Sequence, residues 1–104
     1  MWTQEEGIKL CRLLEMVAPK YGAHVALTGG LLYKDGIRKD ADILFYRIRQ
    51  APEISIDAMF AELDGLGVKV KGGFAWLYKA EYMGKPIDFF FPEEQGENPY
   101  GDDQ

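Results

Sequence analysis

The 104-residue chain has a single cysteine, Cys11, and a single histidine, His24. One cysteine excludes an internal disulfide and leaves a thiolate zinc site short of ligands. One histidine excludes a histidine-cluster metal site within one chain. No apolar run is long enough to span a membrane or resembles a secretory signal, so the cytoplasm is the expected compartment. Positive charge is scarce as well: 12 lysines and arginines against 17 acids give a net charge of −5. That balance argues against non-specific binding to duplex nucleic acid or an anionic membrane as the main activity. A content of 47% apolar and 13% aromatic residues excludes wholesale disorder.

Much of the acid lies after Pro92. Residues 93–104 read as an acidic, disordered tail behind a single domain, 1–92. Ahead of it, Lys34, Arg38, Lys39, Arg47 and Arg49 outnumber Asp35, Asp40 and Asp42. A locally basic stretch in an acidic protein suits a small anionic ligand better than a long polyanion.

Thr3 followed by Glu6 is a capping box and predicts a helix, which Pro19 and Gly22 stop. Ile8, Cys11, Leu14, Val17 and Ala18 recur on one face of it, widened by Leu10 and Leu13. Strands are predicted over 23–27 and 40–48, with a short helix or turn at 31–33 between them. A second helix starts at Ser55 or Asp57 and ends near Leu66. A brief strand at 68–70, a turn at Gly72-Gly73, and strands over 74–82 and 87–91 complete the chain. This order gives an α+β domain, a mixed sheet with helices on one face and a C-terminal β-hairpin.

The informative segment is 27–43. An apolar run ends at Gly29-Gly30, and Asp40-x-Asp42 opens the next strand. Residues i and i+2 of a strand share a face, so Asp40 and Asp42 can chelate a hard cation together. Asp88 interrupts a run of Ile87, Phe89, Phe90 and Phe91, where an unpaired carboxylate would be costly. With its strand beside that of Asp42, three carboxylates form a site for two ions about 4 Å apart, suited to activating a nucleophile and neutralising a leaving pyrophosphate. Glycines directly after a strand let backbone N–H groups approach phosphates, with Lys34, Arg38 and Lys39 as electrostatic support.

This Gly-Gly turn, Asp-x-Asp strand and late third acid resemble the nucleotidyltransferase superfamily over residues 23–91. The resemblance is closest to its minimal members, the antitoxin and abortive-infection nucleotidyltransferases and small phage-borne proteins. It implies a magnesium-dependent enzyme that moves a nucleoside monophosphate from an NTP, such as ATP, to a hydroxyl of a protein, RNA or small-molecule acceptor. Gly29 and Gly30 would hold the triphosphate, Asp40 and Asp42 two magnesium ions, and Asp88 would act as third ligand or general base. Many minimal members have Gly-Ser where this chain has Gly-Gly, and larger ones add a helical domain that grips base and acceptor. These departures leave an alternative, a catalytically inactive binding module acting through protein contact, as an antitoxin or phage-encoded inhibitor. A homodimer whose second copy completes the site is a third.

Other residues have plainer readings. Trp76, Tyr78 and Tyr82 either stack a base or pack the core, with core the default. Cys11 reads as core and His24 as a strand-entry residue. Lys69, Lys71, Lys79 and Lys85 read as solvated positions, of which any on the site face would meet phosphate.

Overall fold

The computed structural model describes residues 1–29 and 37–94. Gly30, Lys34, the helix or turn expected at 31–33 and the tail from 95 onward lie outside the described residues. In chain order the elements are β1 (Trp2–Thr3), α1 (Gln4–Val17), β2 (Ala23–Thr28), β3 (Ile37–Arg38), β4 (Ala41–Arg47), α2 (Ile56–Gly65), β5 (Val68–Phe74), β6 (Leu77–Tyr82) and β7 (Lys85–Phe90). Single 3-10 turns follow α1 and β7, at Ala18–Tyr21 and Pro92–Glu94.

The main sheet has the order β2-β4-β7-β6-β5, and β1 pairs separately with β3. Its strands run antiparallel except at the centre, where β4 and β7 are parallel. A parallel pair needs a long crossover, and α2, β5 and β6 supply it. The mixed sheet, the helices on one face and the C-terminal hairpin match the architecture expected from the sequence.

Alternation along the central strands separates the two faces. Ala41, Ile43 and Phe45 of β4 are buried, as are Ile87 and Phe89 of β7 and the following Phe91. Leu10, Leu14 and Val17 of α1, with Met59 and Leu63 of α2, complete this core. Phe45 stacks on Phe91 with ring centroids 4.6 Å apart and meets Phe89 edge-on at 4.9 Å. Phe60 and Tyr78 extend the aromatic cluster, so Tyr78 takes the core role. A buried aromatic of this kind contributes about 1.5–3 kcal/mol by burial, with roughly 0.5–1.5 kcal/mol more from each well-oriented pair.

Two expectations need correction. The buried stripe of α1 is Gly7, Leu10, Leu14 and Val17, while Ile8 is exposed; the helix is rotated toward its leucines, and Cys11 sits at the core margin. Burial, reinforced by the nearby Glu15 carboxylate, pushes the Cys11 thiol up to about 11 and keeps it protonated. Gly72-Gly73 is no turn. Both glycines lie within β5, where the register with β6 shifts between Val70 and Gly72. A Cβ at Gly73 would lie 2.4 Å from the Leu77 carbonyl oxygen, so glycine here permits close backbone approach.

The N-terminus is strapped to the sheet. Thr3 Oγ1 accepts from the Glu6 backbone N–H at 3.2 Å, and Glu6 Oε1 accepts from the Thr3 N–H at 2.9 Å, as the capping box requires. Glu6 Oε2 also accepts from Lys85 Nζ at 2.7 Å. Trp2 Nε1 donates to the Pro86 carbonyl at 2.6 Å. Together these bonds fix the start of α1 against the start of β7.

Phe45→Ala should cost about 3–5 kcal/mol in urea unfolding, since it empties the centre of the aromatic cluster. A second prediction concerns acid. The Lys85 hydrogen bond, then the Thr3 backbone bond, lower the Glu6 carboxyl from 4.5 to about 2. A depressed carboxyl contributes stability above its unfolded value and loses it as pH falls through the folded one. Wild type should therefore lose more stability than Glu6→Gln between about pH 5 and pH 2, read as urea midpoints.

Candidate active site

Two α-helices cover one face of the sheet; among the described residues no α-helix covers the other. Register arranges that open face in rows. Thr28 of β2 lies opposite Asp42 of β4, Asp42 opposite Asp88 of β7, and Asp88 opposite Lys79 of β6. One row therefore reads Thr28, Asp42, Asp88, Lys79 across four strands. The next reads Ala26, Leu44, Phe90, Leu77. A polar row with charged groups thus runs beside an apolar one on a single surface.

Asp42 and Asp88 come from directly neighbouring parallel strands, which places their backbones about 4.8 Å apart. Asp40 lies in the bend just ahead of β4, half-buried, so the strand begins one residue later than expected. Burial first, then the Asp88 and Asp40 charges, hold the Asp42 carboxyl above the usual aspartate range, and Lys79 pulls it back. Asp88 is better compensated. Its Oδ1 accepts from Lys79 Nζ at 2.8 Å, and that bond holds the lysine above its ordinary value.

Gly29 closes the row. Its φ is +72°, a conformation that glycine adopts without steric cost. A Cβ there would stand only 2.1 Å from Asp42 Oδ2. The missing side chain thus leaves the space that the Asp42 carboxylate occupies, and turn and acid are one unit. Arg38 sits in β3, opposite Trp2, and Lys39 is exposed beside Asp40.

Beside the acids lies a cleft of about 380 Å³. Thr28, Gly29 and Asp42 form its polar end, and Leu44, Trp76, Phe90 and Pro92 its apolar walls. Trp76 is held there by its carbonyl oxygen, which accepts from the Phe91 N–H at 2.7 Å. The volume falls within the range of small-molecule sites. A larger hollow of about 580 Å³ runs along the first turns of α1 but has no such acid pair, so chemistry rather than volume selects the smaller cleft.

Among the described residues no three carboxylate, histidine or cysteine side chains converge into a preformed metal cage. The donor set nonetheless fits magnesium, which takes oxygen ligands and usually binds through one or two carboxylates, completed by water and substrate phosphates. Asp42 and Asp88 are such a pair, and Asp40 is close enough to perturb Asp42.

Nothing in the sequence points to Thr28, Leu44 or Phe90 as part of the site, and it leaves Lys79 as a solvated position and Trp76 as core by default. Lys79 had a readable signal. Met83 and Gly84 form a two-residue hairpin turn with φ of 54° and 77°, a mirror-image turn that fixes the pairing of both strands. From Tyr82 opposite Lys85, counting back reaches Lys79 opposite Asp88.

No family model matches the chain, and no curated protein matches it. Among solved structures, polymerase beta of Leishmania infantum, in a ternary P/T complex, is similar with a TM-score of 0.68 at 13% identity. The alignment covers 86% of this chain and 42% of that one, so the chain spans less than half of the polymerase's length. The likeness shows the fold alone: a small α+β domain similar in fold to part of polymerase beta.

Gly29→Ala should destabilise the fold by about 1–2 kcal/mol, because alanine is strained at this φ and its methyl displaces the Asp42 carboxylate. In a double-mutant cycle with Asp42→Ala, urea unfolding should give a coupling of about 0.5–1 kcal/mol. Strict additivity would show that the two residues do not touch.

Proposed function

We propose that this protein is a minimal magnesium-dependent nucleotidyltransferase, moving a nucleoside monophosphate from a nucleoside triphosphate to a hydroxyl acceptor. One observation carries the reading: Asp42 and Asp88 face the same side of two paired parallel strands, beside Gly29 and an open cleft. The shared fold with polymerase beta supports it.

In this reading Asp40, Asp42 and Asp88 hold the metal. Backbone N–H groups of the Gly29-Gly30 turn approach the triphosphate, and Lys34, Arg38 and Lys39 add positive charge around it. The apolar walls at Trp76 and Phe90 receive the nucleoside, a use of Trp76 that accords with its place in the cleft. The acceptor oxygen attacks the α-phosphorus, the α–β phosphoanhydride bond breaks, and pyrophosphate leaves. The hydroxyl proton passes to a carboxylate, a role this reading gives to Asp88. Magnesium, when bound, would acidify the attacking hydroxyl and neutralise the departing pyrophosphate.

A binding module without turnover has no structural observation in its favour. It would have no use for a half-buried Asp42 whose ionisation is disfavoured by burial and by the Asp88 charge beside it.

Calorimetry with ATP, GTP, CTP and UTP in magnesium tests the proposal. At least one triphosphate should bind the wild type, and Asp40→Ala with Asp42→Ala should weaken it at least about tenfold. Labelled nucleotide incubated with lysate should then mark an acceptor. Absence of binding by all four, or binding unchanged in the double variant, would overturn the assignment.

A further inference from the structure

Lys79 is the cation built into the acid row. The hairpin turn at Met83-Gly84 fixes its register, so β6 presents it directly opposite Asp88. Its side chain is 62% exposed, whereas that of Asp88 is only 15% exposed, so a solvated arm reaches inward to a largely covered carboxylate. The other lysines of β5 and β6 have partners elsewhere: Lys71 pairs with Glu81 at 3.7 Å and Lys69 with Asp64 at 3.1 Å. Lys79 alone among them faces the acids.

One ammonium does not balance three carboxylates. Asp40, Asp42 and Asp88 carry three negative charges when ionised, and Lys79 returns one. The pair it makes is also of the exchangeable kind. Lysine offers a flexible point charge without the bidentate fork of arginine, and ion pairs with an exposed partner contribute little net stability. A divalent cation delivers more charge to the same oxygens.

We propose that Lys79 is a displaceable counter-ion, which holds Asp88 in the cation-free protein and gives it up to an incoming divalent metal. This rests on the metal-site reading of the acids given above. Lys79 then acts as a positioning residue: it keeps Asp88 aligned with Asp42 while no metal is present, and it sets the affinity for the ion.

The test uses the full chain and Mn2+ alone as probe, with free ion counted by electron paramagnetic resonance and Tm recorded with and without metal. Lys79→Met should bind Mn2+ roughly fivefold more tightly than wild type, as expected for removing a competing ion pair. Lys79→Arg should bind at or below wild-type affinity, because its fork holds Asp88 more firmly. The rise in Tm on adding Mn2+ should accordingly be larger for Lys79→Met than for wild type. If wild type binds Mn2+ and Lys79→Met binds it equally or more weakly, the counter-ion role is wrong while the metal site stands. If Mn2+ binds no variant, or binds Asp42→Asn as well as wild type, the metal site itself falls and this inference with it.

Discussion

The parallel pairing of β4 with β7 is the contact on which both halves of this molecule depend. Its register sets Ile43 beside Phe89 on the helix side and Asp42 beside Asp88 on the open side. Side chains alternate along a strand, so the same residues cannot satisfy one face without defining the other. A one-residue slip of β7 against β4 would drive Asp88 into the aromatic cluster and turn Ile87 and Phe89 outward. The core therefore enforces the site.

That coupling accounts for how a small domain tolerates an unfavourable row of charge. Phe45, Phe89 and Phe91 are fully buried and lock together through their ring contacts. Directly across the sheet, Asp42 is held in a state where ionisation is disfavoured by burial and by its neighbours. Gly29 has given up a side chain to make room for that carboxylate. Nothing about folding alone calls for this arrangement, and sites where local rules are broken in a well-packed structure are where function is expected.

Local features were the most legible in the sequence. The Thr3–Glu6 capping box and the start of α1 follow from residues three apart, and the structure forms both bonds. The strand alternation of 40–48 put Asp40 and Asp42 on one face; β4 carries Asp42 but begins one residue after Asp40, which lies in a bend. The hairpin register was available by counting from Met83-Gly84, and it would have named Lys79. Long-range features were harder to read. The β4–β7 pairing joins segments separated by a helix and two strands, and spacing alone does not choose between parallel and antiparallel neighbours. Gly72-Gly73 reads locally as a turn, yet pairing with β6 draws it into a strand. The two-residue strands β1 and β3 are too short to carry any periodic signal. Gly30 and Lys34 lie outside the described residues, so their expected part in phosphate binding rests on the sequence.

The central claim is that Asp42 and Asp88, aligned by the strand pairing, form a cation site for a nucleotide. Anomalous diffraction from crystals grown with Mn2+ and a non-hydrolysable triphosphate tests it most directly. A Mn2+ peak is expected between these two carboxylates, about 2.1 Å from an oxygen of each, with the Lys79 ammonium withdrawn from Asp88. A peak elsewhere, or no peak with Lys79 still bonded to Asp88, would contradict it.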